Sequence, residues 1–299
     1  MQRRRFLRAG GAAFAGVGAA GAVLATASTG QEQDDLGAYA PPPGRGIPVA
    51  QQSVSKWCFD YLSLADLLAA LEEIGLSAID LIKPSEYEQV ADAGFTCSMA
   101  YGRDDEDIST GFIDADKHDA LYEAYAKTIP QIAELGWVNM VCFAGNRRGR
   151  FDLDGLRVAA KGLKRIVPVA AEHGVVLQME LFNSKVDHPD YMADSSAWAI
   201  ALCDMVGSEH FKLLYDIYHM QVQEGNVIQT IREHHPYFGH YHTAGVPGRH
   251  ELNADQELYY PAVMRAIRET GFTGYVAHEF VPTYDEKLDG LREAVRVCS

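Results

Sequence analysis

From residue 53 onward, short apolar and β-branched runs alternate with longer amphipathic segments. Apolar residues that recur every three or four positions predict helices, whereas short apolar runs between turn residues predict buried strands. The clearest helices are predicted at 114–136 and 153–174, where Pro130 and Pro168 are expected to kink or divide them. The eight predicted strands cover 53–59, 77–82, 95–102, 137–145, 175–183, 211–219, 238–245 and 274–282.

Several of the predicted helices end in glycine just before the next strand. Glycine is the usual left-handed residue that closes a helix in such a connection. Eight βα units in about 250 residues predict an α/β fold, a (β/α)8 TIM barrel that forms a single catalytic domain at 51–299. No Gly-rich phosphate loop follows the first strand, which argues against a dinucleotide-binding open sheet. The glycines are Gly75, Gly94, Gly136, Gly174 and Gly271.

Residues 1–27 have the pattern of an export signal. Arg3 to Arg8 form the twin-arginine motif RRRFLR, an Ala- and Gly-rich segment follows, and Ala25 to Ala27 form a small-x-small cleavage site. An uncleaved anchor is the alternative, but so much Gly and Ala makes a poor membrane-spanning helix. We therefore expect a periplasmic or secreted protein, without stable membrane insertion after cleavage. Residues 28–50, rich in Pro and Gly, are predicted to be a flexible linker or arm.

The charge of the chain restricts its partners. The 299 residues include 26 Lys and Arg against 41 Asp and Glu, a formal net charge of −15. Removal of the signal takes away four arginines and no acids, which leaves −19. Such an acidic body repels nucleic acid and anionic membranes, so we predict a small-molecule substrate and no nucleic-acid partner.

Charged side chains lie near the C-terminal ends of four successive predicted strands, where the chemistry of such barrels is located. A charged residue in a buried strand is unfavourable unless it is paired or bound to a metal ion. Strands seven and eight read GHYHTAG and GYVAHEFVP, and the first of these places two histidines on one face. The residues are Glu180, Asp216, His240, His242 and Glu279.

Four of these residues are predicted to bind one divalent metal ion: Glu180, Asp216, His242 and Glu279. Three carboxylates crowded together without a cation would raise at least one pKa strongly. The oxygen-rich set with one nitrogen favours Mn²⁺ or Mg²⁺, with Co²⁺ as a further candidate, over structural zinc. A single acid at a strand end is more often a salt-bridge partner, so the metal hypothesis depends on all four occurring together.

Asp216 and His219 are three residues apart in YDIYHMQ. In a strand this spacing places them on opposite faces. We therefore expect Asp216 to end strand six and face inward as a metal ligand, with His219 on the loop above the site. From that rim position His219 is predicted to contact the substrate.

Three further side chains are predicted to contact the substrate, whose acidic group needs a cation or hydrogen-bond donors. Lys185 and His188 lie in NSKVDHPDY after strand five, and Arg249 lies in GVPGRHEL after strand seven. For each of them, and for His219, a solvated loop position is the alternative.

The segments MELFN, YDIYHMQ, GHYHTAGVPGR and GYVAHEF resemble those of hydroxypyruvate isomerases, within the xylose isomerase-like barrel superfamily that includes ketose 3-epimerases. The resemblance runs from about residue 52 to 298. It implies that Glu180 and Glu279 bind one divalent metal ion and act as the acid/base groups, with Asp216 as a further ligand. The strand-seven ligand is commonly Gln in the bacterial isomerases, and His242 follows the ketose epimerases instead. Barrels of this family often pair, so a homo-oligomer is expected.

The implied reaction is the interconversion of hydroxypyruvate and tartronate semialdehyde by enediolate proton transfer. Ketose 3-epimerisation and inosose dehydration on the same metal site are the nearest alternatives. A phosphodiester hydrolase of the endonuclease-four type needs a basic surface, which the net charge contradicts. A non-catalytic exported sugar-binding protein would have lost a metal ligand, yet all four positions carry competent side chains.

Overall fold

A computed structural model of the chain describes residues 47–48 and 51–299. The predicted signal at 1–27 and most of the predicted linker at 28–50 lie outside the described residues. Ile47, within the predicted linker, is buried. Its N–H donates to the Cys298 carbonyl, and its carbonyl accepts from Gln52 Nε2. No helix in the described part of the chain is long and apolar enough to cross a membrane.

Eight parallel strands in the described part of the chain form one sheet that curls into a (β/α)8 TIM barrel, which confirms the predicted fold class. From β2 to β8 each strand pairs with the next one along the chain, and β1 pairs with β8. Seven predicted strands enclose the observed ones, whereas β1 starts one residue early and gives way to a 3₁₀ turn at Lys56–Phe59. The strands are β1 (Gln52–Val54), β2 (Ala78–Ile82), β3 (Thr96–Ala100), β4 (Asn139–Cys142), β5 (Val176–Glu180), β6 (Phe211–Asp216), β7 (Phe238–Thr243) and β8 (Val276–His278).

One helix follows each strand, except that two helices follow β6. Helix α1 begins after Ser63, whose hydroxyl accepts the N–H of Asp66, and ends at Gly75 with φ 92°. Its buried residues recur at helical spacing, which fixes the face that packs on the barrel. The helices are α1 (Leu64–Ile74), α2 (Tyr87–Asp92), α3 (His118–Glu134), α4 (Asp152–Glu172), α5 (Ser196–Val206), α6 (Ile217–Gln223), α7 (Val227–His234), α8 (Tyr260–Glu269) and α9 (Lys287–Cys298).

All five glycines predicted to close helices have a positive φ, between 70° and 92°. The two prolines do not divide their helices. Helices α3 and α4 continue through Pro130 and Pro168 without a break. A proline removes one N–H donor from the helix, and the turns around Pro168 stay helical because Ile166, Val167 and Ala170 are buried in the core.

The barrel closes between β1 and β2 through one isolated parallel bridge, between Ser55 and Asp80. On the other side of β2, the register with β3 shifts twice, so that Ser98 is extra on β3 and Leu81 is extra on β2. Leu81 accordingly adopts a left-handed conformation, with φ 54°. Bulges of this kind redirect the side chains beside them, and here the Asp80 carboxylate lies among buried side chains of the barrel.

Candidate active site

The four predicted metal ligands converge at the C-terminal end of the barrel. Glu180 and Asp216 are the last residues of β5 and β6, His242 lies one residue before the end of β7, and Glu279 follows β8. Their exposed fractions do not exceed 3%. One ligand-capable atom from each lies within 4.8 Å of the others. The structure therefore brings the whole predicted set together.

His242 lies between the carboxylates. Its Nδ1 is 2.9 Å from Glu279 Oε2, 3.0 Å from Glu180 Oε1 and 4.0 Å from Asp216 Oδ2. Nδ1 carries at most one hydrogen, which points to Glu279. As a result, Glu180 Oε1 and Asp216 Oδ2 have no hydrogen-bond partner among the described residues. Buried oxygens left in this way are unfavourable, and a cation between them would satisfy both.

The surroundings shift the pKa values of the three carboxyl groups in different directions. Burial and the charge of Glu279 raise the pKa of Glu180 to about 7. Burial also raises the pKa of Asp216 to about 8, against the effect of Arg249. Burial acts in the same direction on Glu279, but Arg249 and His242 hold its pKa well below the usual range. Burial opposes the charging of His242, but the adjacent carboxylates, Glu279 first, raise its pKa well above the usual range.

Arg249 reaches into the cluster from the loop after β7. Its Nη2 lies 2.6 Å from Glu279 Oε2 and 3.8 Å from Asp216 Oδ2. The guanidinium lies 5.1 Å from the ring centre of Trp57 and 5.7 Å from that of Tyr218. Two aromatic faces and two carboxylates therefore hold the cation at the mouth of the barrel.

The position of His219 differs from the expected loop. Strand β6 ends at Asp216, whose Oδ1 accepts the N–H of His219 and so caps helix α6. His219 lies in the first turn of that helix, and it is completely buried. Its Nε2 is 3.7 Å from Asp216 Oδ2. The three-residue spacing therefore brings both side chains to the site, because the chain changes from strand to helix between them.

The two predicted residues after β5 have different surroundings. His188 stacks on Phe182, with ring centres 4.3 Å apart, and lies 5.1 Å from the ring of His219. Lys185 is exposed, and its Nζ donates to the carbonyl of Gln223 at 2.7 Å. Its ammonium is therefore held at the C-terminal end of α6, where cations are favoured. It does not lie at the carboxylate cluster. The acceptors of Lys185 in this structure lie at a helix end outside the cluster, and its contact with the substrate stays a prediction.

Two contacts of the site were not predicted. Trp57 donates its indole N–H to Glu279 Oε1 at 2.6 Å. Asp80, fully buried, lies 3.0 Å from both His240 and His242. An acid inside the apolar strand AIDLI is the same signal that marked Glu180. His240 and His242 do share one face, as their spacing predicted.

Comparison with known proteins relates this site to a family. Residues 61–298 match the family model described as xylose isomerase-like TIM barrel. The chain is 34% identical over 137 residues to a putative hydroxypyruvate isomerase of Homo sapiens, which is 45% of this chain and 50% of that protein. It is 32% identical over 134 residues to a 2-oxo-tetronate isomerase of Cupriavidus necator, which is 44% of this chain and 51% of that protein. The chain thus spans about half the length of these relatives.

Among solved structures, 3-keto-D-glucoside 4-epimerase of E. coli has a similar fold. The TM-score is 0.70, with 20% sequence identity over 83% of this chain and 100% of that chain. At this identity the likeness concerns the fold alone, and the chemistry has to be argued from the residues of the site.

Proposed function

This chain belongs to the xylose isomerase-like TIM barrel family, and on that basis we propose that it is a divalent-metal-dependent isomerase of small hydroxy-carbonyl acids. The proposed reaction is the interconversion of hydroxypyruvate and tartronate semialdehyde. The observation that carries the proposal is the buried four-residue cluster, in which two carboxylate oxygens have no hydrogen-bond partner among the described residues. The name of the human relative supports the choice of substrate.

Glu180, Asp216, His242 and Glu279 would hold the metal ion, for which Mn²⁺ or Mg²⁺ are the first candidates and Co²⁺ the next. When bound, the ion would stabilise negative charge that develops on the substrate oxygens. The fit rests on the donor set, which consists of three carboxylates and one imidazole within 4.8 Å.

Glu180 and Glu279 are the groups assigned to proton transfer. The reaction removes a proton from carbon next to a carbonyl group and supplies one to the neighbouring position, so it needs a base and an acid. Trp57 and Arg249 each donate to one oxygen of Glu279 at 2.6 Å, which fixes the orientation of that carboxylate. Because both glutamates are buried, water has little access to the transferred proton.

His219 is assigned to bind a substrate oxygen. Asn183 Nδ2 donates to His219 Nδ1 at 2.6 Å, so the hydrogen of the neutral imidazole lies on Nε2. Burial lowers the pKa of His219 well below its usual range, which keeps the ring neutral. Nε2 has no hydrogen-bond partner among the described residues. It is therefore a preorganised neutral donor for an oxygen that becomes negative during the reaction.

Arg249 is assigned to the carboxylate of the substrate. Of the predicted cations, it is the one whose guanidinium enters the cluster. Arginine suits this task because its planar fork binds carboxylates at two points.

Removal of the metal ion is expected to abolish isomerisation. The purified protein would be stripped with a chelator, assayed with hydroxypyruvate, and assayed again after addition of Mn²⁺, Mg²⁺ or Co²⁺. We expect no turnover in the stripped protein and the largest recovery with Mn²⁺. Full activity in a preparation shown by elemental analysis to lack metal would contradict the proposal.

The affinity for Mn²⁺ is expected to rise between about pH 6 and pH 8. A metal ion competes with protons for its ligands. In the metal-free protein the pKa values of Glu180 and Asp216 are raised to about 7 and about 8, and that of His242 is raised as well. These protons are present at low pH and must leave for the ion to bind. Calorimetric titrations in buffers of different ionisation enthalpy measure the protons released, and an affinity independent of pH would contradict this.

Ketose 3-epimerisation is the second candidate function. It is favoured by His242, which stands where the bacterial isomerases that the chain resembles commonly have Gln. A panel of hydroxypyruvate, 2-oxo-tetronate, fructose, tagatose and inosose separates the two. Turnover of the acids supports the isomerase, whereas turnover of the free sugars alone would favour the epimerase.

Export by the twin-arginine route and association into a homo-oligomer remain predictions. Fractionation of cells that make the full chain, with the N-terminus of the mature protein sequenced, tests the export. Light scattering of the purified protein tests the oligomeric state.

A further inference from the structure

Asp80 contacts the side of His242 that faces away from the carboxylate cluster. Its Oδ1 lies 3.0 Å from His242 Nε2, while His242 Nδ1 faces Glu279 and Glu180. The imidazole therefore joins Asp80 on one side to the proposed metal site on the other. Asp80 itself is completely buried.

Asp80 is held in place by further donors. Ser55 Oγ donates to Oδ1 at 3.2 Å, and Ser98 Oγ donates to Oδ2 at 2.7 Å. His240 Nε2 lies 3.0 Å from Oδ2. With His242, two groups approach each carboxylate oxygen. Three of these four approaches are hydrogen bonds, which fix the orientation of the carboxylate.

The backbone around Asp80 departs from regular strand geometry. The double register shift between β2 and β3 places Ser98 and Leu81 next to it. The φ of 54° at Leu81 is rare for a residue with a side chain. Such conformations persist where the surrounding structure demands them, and they concentrate at functional sites. The bridge from Ser55 to Asp80 also ties this position to β1.

We propose that Asp80 is a positioning residue of the metal site, which accepts the Nε2 hydrogen of His242 and so presents Nδ1 to the ion. This inference rests on the proposed metal-dependent function. Metal-bound histidines usually donate their second N–H to a carboxylate or carbonyl, and loss of that partner typically lowers metal affinity 10- to 100-fold.

The first test measures the Mn²⁺ affinity of Asp80→Asn by competition with a fluorescent chelator. We expect an affinity about 10- to 100-fold below that of the wild type. Thr243→Val is the matched control, because Thr243 Oγ1 is 2.9 Å from Nδ1 of the buried His278, an imidazole outside the carboxylate cluster. The control is expected to bind Mn²⁺ within about twofold of the wild type, since the metal-facing imidazole keeps its partner. Wild-type affinity in folded Asp80→Asn would overturn the proposal.

A double-mutant cycle separates positioning from general damage to the barrel. If Asp80 acts through His242, then Asp80→Asn should have little further effect on Mn²⁺ affinity in a His242→Gln background. Equal losses in both backgrounds would overturn the proposal, because they would show that Asp80 does not act through the imidazole.

A third measurement needs no variant of Asp80 and remains decisive if Asp80→Asn does not fold. Long-range ¹H–¹⁵N spectra of the Mg²⁺-loaded wild type report which nitrogen of His242 carries the hydrogen, and His242→Gln identifies the signal. Hydrogen on Nε2 with Nδ1 coordinated supports the proposal, and the reverse overturns it. If the wild type binds no divalent ion, the proposed function fails. The ion-free spectrum then still tests the hydrogen bond from His242 to Asp80, because a slowly exchanging Nε2 hydrogen supports that bond and a rapidly exchanging one contradicts it.

Discussion

Replacement of Glu279 by Gln is expected to lower the turnover of hydroxypyruvate by about 10²- to 10⁴-fold, the usual contribution of a positioned acid or base. Gln has nearly the same size, and its single amide oxygen can accept from either Trp57 or Arg249, which now each donate to one carboxylate oxygen at 2.6 Å. It cannot take up or release a proton. Glu180→Gln is expected to have an effect of similar size. The measurement is kcat at saturating Mn²⁺, so that weaker metal binding does not enter the comparison.

Glu106→Gln is the control for both variants. Its side chain is 6% exposed and pairs with Arg103 at 2.9 Å, so it resembles Glu279 in burial and in having an arginine partner, but it lies outside the metal-ligand cluster. Its turnover should stay close to that of the wild type. Near-normal turnover by folded Glu279→Gln would show that the mechanism with two carboxylates is wrong.

Asp216→Asn and His219→Ala are expected to separate metal binding from substrate binding. Asn caps a helix as well as Asp does, so helix α6 should remain, but the negative ligand is lost. We expect Mn²⁺ affinity to fall by at least about 100-fold, the upper end of what loss of a supporting residue already causes. His219→Ala should keep Mn²⁺ affinity within about threefold and lower kcat/KM by 10²- to 10³-fold, as is typical for a lost oxyanion donor.

His219→Gln is the matched variant, because its amide can again donate a hydrogen bond, and it should recover part of kcat/KM. Both quantities are measured on the same preparations, by chelator competition and by initial rates. A loss of metal from His219→Ala comparable with that from Asp216→Asn would contradict the assignment of the two residues.

The barrel and the carboxylate cluster could be predicted because both follow from local patterns. Strand length and helix spacing recur eight times, and a charged residue in a buried strand stands out against its apolar neighbours. Parallel strands of a barrel end at the same face. Glu180, Asp216, His242 and Glu279 therefore had to approach each other once the fold was known.

The ends of the elements were harder to predict, because capping depends on side-chain geometry. Asp216 is both the last strand residue and the cap of α6. The sequence contains the signal, since Asp is a preferred cap before a helix, but a strand continued to residue 219 satisfied the same apolar pattern. The consequence was the misplacement of His219 on a loop.

Contacts between distant loops and strands left no local signal. Lys185 has the charge expected of an anion-binding residue, yet its partners are carbonyls near residue 223. Trp57 is 222 positions away from Glu279, to which it donates. Such pairings depend on where the loops cross, and only the folded chain determines that. Asp80 could have been predicted by the reasoning applied to Glu180, because both are acids in buried strands.

The cations inside the cluster bear on whether the protein can fold before it acquires its metal ion. Arg249, together with His242, whose pKa the adjacent carboxylates raise well above its usual range, already offsets negative charge that the metal ion would neutralise. Zinc fingers, in contrast, are unfolded without their metal, so their assembly waits for it. Here we expect folding and metal acquisition to be separable, so that a metal-free chain would persist as a stable apoenzyme. The supply of the ion, rather than the supply of folded protein, would then control when activity begins.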